Sequence, residues 1–308
     1  MPSASAYRAG SFLARHVPAA AGTGVARLIG NGAATSRERR VVVARNLERV
    51  LGRPMSRVEE RRRVAETFEW YARYYHESFR LPDLSIEEID REFAYEGFGQ
   101  IEAACERGQG PILALPHLGT WEWAAFWLSL VPDYRVTAVV EALEPPEVFE
   151  WFAGFRESLG MSIVPLGPEA GKASVQALNN GQVLCLLADR DLQGNGVPVE
   201  FFGERTTLPG GPATLALRTG SPLLPTAVYW RDGLRYAVVS PALDTERRGR
   251  LRDDVARVTQ DLAHRFESLI EAAPEQWHLL QPNWPSDYVA LARPMPEHLR
   301  ALVDEGDR

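Results

Sequence analysis

Ile112-Leu113-Ala114-Leu115-Pro116-His117-Leu118-Gly119-Thr120-Trp121-Glu122 changes its hydrophobic period part-way along. The apolar run from Pro111 to Leu115 has strand character and stops at Pro116, after which Trp121, Ala124, Ala125 and Leu128 recur at helical spacing. Thr120 stands where an N-cap belongs. His117 therefore falls on a strand-to-helix turn at the C-terminal end of a strand, which is where open α/β sheets hold their ligands. Glu122 follows five residues later. At about 100° per residue the two would lie roughly 140° apart on a continuous helix, but a turn at Gly119 lets the imidazole fold back over the first helical turn. A carboxylate behind an imidazole fixes its tautomer, frees the other nitrogen and stabilises the imidazolium, so His117 is a candidate general base with Glu122 as its orienting acid. The competing reading is a histidine that only caps or packs after its strand.

Outward from this turn, apolar runs of strand length recur at 111 to 115, 135 to 141, 162 to 166, 182 to 188, 197 to 202, 222 to 229 and 235 to 240. Helical patterns lie between them at 121 to 130, 145 to 159, 170 to 179 and 209 to 219. Such alternation predicts an α/β domain with a mostly parallel central sheet flanked by helices. From 251 to 273, Val255, Val258, Leu262, Phe266, Leu269 and Ile270 form a single stripe, as on a helix covering one sheet face. Upstream, helices are expected at 36 to 50, 58 to 79 and 97 to 107; the second carries Phe68, Trp70, Tyr71, Tyr74, Tyr75 and Phe79, either core or the wall of an acyl-chain groove. No repeat or linker divides the chain. Its expected organisation is an N-terminal helical appendage, 1–56, followed by one α/β domain, 57–308.

With 45% hydrophobic residues in 308, the chain can bury a large core. No uncharged apolar run reaches the ~20 residues that span a bilayer, and Arg15, His16 and Arg27 interrupt the apolar core a signal peptide needs. Cys105 and Cys185 lack metal or redox spacing and read as reduced structural thiols of a cytosolic protein. The net charge of −7 argues against a global preference for nucleic acid. Between Arg37 and Arg63, however, ten arginines face four acids, which fits a local anionic partner or a solvated helix face. Ala6 to Gly32 is apolar and Arg-punctuated, with a modest amphipathic pattern suited to a membrane surface or to the protein's own body.

Three further blocks bear on chemistry. Phe155-Arg156-Glu157-Ser158-Leu159-Gly160 closes a helix and leaves Arg156 near the sheet, although it reads equally as a surface arginine. Asp189-Arg190-Asp191 ends the apolar strand from Val183 at the same sheet edge as His117, and a donor such as Arg190 there can stabilise an oxyanion or bind phosphate. Leu208-Pro209-Gly210-Gly211-Pro212 opens a helix whose free N–H groups suit an anion, so Gly210 and Gly211 are phosphate candidates. The six histidines are scattered, and no ligand spacing implies a metal. Motifs for serine hydrolases, NTPases, dinucleotide binding and zincins are missing.

Taken in order, His117-x4-Glu122, Phe-Arg-Glu-Ser-Leu-Gly (155 to 160), Asp189-Arg190-Asp191-Leu192, Val-Glu-Phe-Phe-Gly (199 to 203), Leu-Pro-Gly-Gly-Pro-Ala (208 to 213) and Trp-His-Leu-Leu-Gln-Pro (277 to 282) carry a resemblance across nearly the whole chain. It resembles the lysophospholipid acyltransferase superfamily, in the branch shared by bacterial lipid A late acyltransferases and phosphatidylinositol mannoside acyltransferases, with wording nearest the latter. The mannoside enzymes carry Asp where this chain has Glu122 and Glu where it has Asp189; both changes keep a carboxylate. The resemblance implies acyl transfer from acyl-CoA to a sugar hydroxyl of a membrane glycolipid, by direct attack and with no bound cofactor. In that scheme His117 is the base, Glu122 orients it, Asp189 helps position the ring, and Arg156 and Arg190 serve the oxyanion or the donor's phosphates. It places the protein peripherally on the cytoplasmic face of the cell membrane, at the inner leaflet. The alternatives are a lipid A type transferase using an acyl carrier protein and a lipid-binding protein without turnover; the intact base and carboxylate count against the second.

Overall fold

In the computed structural model, which describes residues 36–141 and 146–306, the chain opens with helices α1 (Arg37–Leu51), α2 (Arg57–Arg80) and α3 (Ile86–Arg91). Strand β1 (Phe93–Glu96) and helix α4 (Gly99–Glu106) precede β2 (Ile112–Leu115), α5 (Trp121–Leu130), β3 (Val136–Val140), α6 (Pro146–Glu157), β4 (Met161–Pro165), α7 (Ala170–Asn179) and β5 (Val183–Leu187). Then come β6 (Val197–Phe201), β7 (Glu204–Leu208), α8 (Gly211–Thr219), β8 (Leu223–Arg231), β9 (Leu234–Val239), α9 (Leu251–Glu271), α10 (Pro285–Ala290) and α11 (Glu297–Gly306).

Seven strands form one sheet in the order β1-β9-β8-β2-β5-β3-β4, parallel throughout except where β9 turns back on β8. The expected α/β architecture is thus the one observed. β2 lies between β5 and β8, and all four of its residues are buried because both sheet faces are covered. Its side chains alternate: Ile112 and Ala114 join Leu184, Leu223 and the stripe of α9 (Val258, Leu262, Phe266, Ile270), while Leu113 and Leu115 join Cys185, Leu224 and the Trp123, Phe126 and Trp127 face of α5.

Three departures from expectation have local causes. The run 197 to 202 is not in the central sheet but pairs with β7 as a separate hairpin. Its turn residues Phe202 and Gly203 have φ of 52° and 71°, the left-handed pair of a tight hairpin, but phenylalanine at the first position hides a signal that asparagine would have given. β1 is only four residues long and follows an acidic helix; its pairing with β9 from Phe93↔Arg235 to Glu96↔Val238 is non-local. α3, α10 and α11 also fall in stretches with no expected helix; α3 is announced by a capping box between Ser85 and Glu88.

The proposed surface segment Ala6 to Gly32 lies outside the described residues. The rest of the expected appendage is helix α1, which buries Val42, Val43 and Leu47. It is held to the C-terminal region by Asp287, which takes Arg45 Nε and Arg49 NH2 at 2.7 Å each, with the Arg49 guanidinium 4.0 Å above the Trp284 ring. Two of the ten arginines between 37 and 63 are therefore internal struts, whereas Arg37, Arg39, Arg40, Arg57, Arg61 and Arg62 are exposed. Among the described residues no helix is long and apolar enough to cross a membrane.

Candidate functional site

After Leu115 the chain turns through Pro116 to Thr120 and enters α5. Every step of the turn is bound on its main chain. His117 O accepts from His278 N at 2.7 Å, Gly119 N donates to Gln276 O at 3.0 Å, and Thr120 N donates to Val228 O at 3.0 Å. Gly119 has a φ of 60°, and a Cβ there would lie 1.7 Å from Val228 O, so only glycine fits. The 276 to 278 segment thus straps the turn to the end of β8.

Sheet register determines what faces His117. Leu115 pairs with Leu187 and Ala188 N donates to Leu115 O, so the residues two beyond each paired leucine, His117 and Asp189, emerge side by side. His117 Nδ1 lies 2.5 Å from Asp189 Oδ1. Asp189 Oδ2 accepts from His117 N at 3.0 Å and from Trp277 Nε1 at 2.8 Å. Asn283 Nδ2 adds a bond to the Asp189 carbonyl at 3.3 Å. Burial by itself would raise the pKa of this carboxyl, but the charge of His117 and the bonds from the imidazole, the indole and the His117 N–H outweigh it and hold Asp189 below the usual carboxylate range. The Asp189 side chain is 0% exposed and that of His117 34%, so the pair presents the ring to solvent and hides the charge that orients it. With Nδ1 engaged, Nε2 is the nitrogen left to act.

Glu122 does not sit behind this ring. It lies on the buried side of the first turn of α5, where Arg156 Nε reaches its Oε1 at 3.0 Å and NH2 at 2.5 Å. From Thr120 the helix carries Glu122 toward α6, while the register carries Asp189 to the imidazole. The acid that orients His117 is thus the one beside it in the sheet, 72 residues away in sequence. Burial acts to lower the pKa of Arg156, and the opposing charge of Glu122 with its hydrogen bonds leaves it raised. The guanidinium also faces the rings of Trp121 at 5.2 Å and Phe152 at 5.5 Å.

Arg190, next to Asp189, bonds Glu141 Oε2 at 3.0 Å. Gly210 and Gly211 start α8, where a Cβ on Gly210 would meet Val197 and Val255. Asp191 accepts from Gln193 N, Gly194 N, Gly196 N and Thr207 Oγ1 and so organises its own loop. Beside the centre, the rings of α2 meet those of α6: Phe79 lies 5.5 Å from Trp151, and Tyr75 and Phe152 complete the cluster. Cys185 is buried on β5, its thiol pushed up to about 12 by desolvation, which makes it a poor nucleophile. Nothing in the sequence assigns Trp277, His278 or Asn283 to this turn, and Tyr74 reads there only as one of an aromatic set. Trp277 and His278 stand in a recognisable block, but nothing local connects them to a turn 160 residues earlier.

Residues 3–286 match the family described as bacterial lipid A biosynthesis acyltransferase. The chain belongs to that family. It is also 42% identical over 249 residues to a phosphatidylinositol mannoside acyltransferase of Mycobacterium tuberculosis (strain ATCC 25618 / H37Rv), covering 79% of this chain and 76% of the relative. A phosphatidylinositol mannoside acyltransferase of Mycolicibacterium smegmatis (strain ATCC 700084 / mc(2)155) is 38% identical over 288 residues, 91% of each chain. As a member of the family the protein is an acyltransferase, and it carries a half-buried, carboxylate-held histidine on a strand-to-helix turn.

Proposed function

We propose that the protein transfers a fatty acyl group from acyl-CoA to a sugar hydroxyl of a phosphatidylinositol mannoside, at the cytoplasmic face of the cell membrane. The observation that carries the mechanism is the His117–Asp189 pair. His117 Nε2 takes the acceptor O–H proton as that oxygen attacks the thioester carbonyl carbon. Asp189 stabilises the imidazolium that results. The tetrahedral intermediate collapses with cleavage of C–S, and the imidazolium returns the proton to the departing sulfur, leaving an ester and a free thiol. No acyl-enzyme is formed. Arg156, held on Glu122, and Arg190, next to Asp189 in the chain, are the candidates to serve the oxyanion or the donor's phosphates. Gly210 and Gly211, at the start of α8, are a further candidate for the phosphates. Glu122 keeps Arg156 in place. The aromatic cluster of α2 and α6 supplies an apolar wall for the acyl chain.

The relatives' names support the acceptor, and the family resemblance supports the donor. The purified protein is incubated with palmitoyl-CoA or palmitoyl-acyl carrier protein and a panel of phosphatidylinositol mannosides, phosphatidylinositol and a lipid A precursor, with products identified by mass spectrometry. Acylated mannoside formed from the CoA donor is expected. Transfer confined to the carrier-protein donor or to the lipid A precursor would overturn this assignment.

A further inference from the structure

Behind the catalytic turn is a cavity of about 10 Å³ lined by Thr120, His278, Gly119, Gln276, Tyr74 and Trp230 among others. About 10–15 Å³ on this measure accommodates one water molecule, provided two or more polar groups receive it. Two buried side-chain atoms of the lining have no hydrogen-bond partner: Thr120 Oγ1 and His278 Nε2. Each is out of the ordinary for its position. Thr120 occupies the N-cap of α5, where a threonine hydroxyl normally accepts from the first helical turn, yet it makes no capping bond. The His278 ring packs against Tyr71 and Tyr74 at 5.4 and 5.5 Å. Burial, reinforced by the charge of His117, pushes the His278 pKa down to about 3, so the ring is neutral. A neutral imidazole nitrogen and a hydroxyl can each donate or accept, and burying either unpaired is unfavourable.

We propose that the cavity binds a single water molecule hydrogen-bonded to Thr120 Oγ1 and His278 Nε2, and that these two side chains are positioning residues for His117. The bridge continues a pattern already present in the backbone. His278 N holds His117 O, Leu118 forms a β-bridge with Trp277, and Gly119 N holds Gln276 O. The water ties down the next residue, Thr120, and with it the angle at which the turn enters α5. A turn free to shift there moves Nε2 relative to the thioester, and displacements on the ångström scale reduce rate more than binding.

The kinetic arm of the test rests on the acyl-transfer reading; the crystallographic arm does not. In a high-resolution crystal structure of the unmodified protein, one ordered water is expected within hydrogen-bond distance of both atoms, and it is lost in Thr120→Val. In acyl transfer, Thr120→Val keeps the shape of the side chain and should lower kcat on the order of tenfold, with KM for donor and acceptor essentially unchanged. Thr120→Ser should restore kcat. Combining Thr120→Val with His278→Phe should cost no more than the worse single change, because both delete the same bridge. A dry cavity in the unmodified crystal, a Thr120→Val protein at full kcat, or strictly additive losses would each overturn the proposal. If the unmodified protein transferred no acyl group, the proposed function would fall and the crystal structure alone would still decide the water site.

Discussion

Replacing Asp189 by asparagine changes one atom, and the structure dictates how the amide must sit. Oδ2 accepts from two permanent donors, His117 N–H and Trp277 Nε1–H, so the amide oxygen must take that place. The amide nitrogen then faces His117 Nδ1, which lies 2.5 Å from Oδ1 in the native pair. An NH2 group only donates, so Nδ1 must become the acceptor and the ring proton moves to Nε2. The nitrogen meant to receive the acceptor's proton is then already protonated, and the charge opposing the imidazolium is gone. Together these should lower kcat by ~10³–10⁴, or about 4–5 kcal/mol on the barrier. KM should hardly move, because Asp189 is fully buried and touches no substrate. Initial rates with saturating donor and acceptor, alongside circular dichroism to verify folding, measure this. A folded Asp189→Asn protein retaining more than about a tenth of native kcat would refute the tautomer argument.

Glu122→Gln distinguishes the two carboxylates. It leaves the His117 tautomer alone but strands the buried Arg156 guanidinium, so stability in urea should drop by about 3–5 kcal/mol while kcat of the folded fraction falls far less than in Asp189→Asn. On the acid side, the unfolded chain protonates His278 below its ordinary value of 6.5, whereas the folded ring resists until about 3, so stability declines as pH falls through that window. Asp189, depressed in the fold, loses its contribution only lower, in the carboxylate range. His278→Phe should therefore show a shallower loss of stability between pH 6.5 and 5 than the native protein; equal slopes would contradict the buried, neutral ring. Binding to liposomes containing phosphatidylinositol should weaken with salt, since Arg37, Arg39, Arg40 and Arg57 are exposed, and should weaken again in a chain lacking residues 1–35. Salt-independent binding, or full binding by the shortened chain, would move the membrane-facing surface elsewhere.

The elements that sequence periodicity revealed are those whose signal is local. β2, its turn and α5 are legible because the period switches at Pro116, and α9 because its stripe repeats over several turns. Asp189 was visible as a charge at a strand end, yet its partnership with His117 depends on the pairing of Leu115 with Leu187, which no local pattern encodes. Glu122 stands out in the sequence because five residues of separation are easier to see than 72. The Arg156 pairing with Glu122 depends on where α6 packs against α5. Likewise the Arg-rich stretch gave a surplus of charge but not its division between exposed residues and the struts to Asp287.

Direct attack promoted by His117 separates this mechanism from one through an acyl-enzyme, and His117→Ala probes it. With palmitoyl-CoA and a phosphatidylinositol mannoside, the product is followed by mass spectrometry over a single turnover, together with the intact mass of the protein. A fall in rate of ~10²–10⁴ is expected in a folded variant, with no acylated form of the native protein at any time. A variant that acylates its acceptor at near-native rate, or a native protein that carries the acyl group as a covalent intermediate, would contradict it.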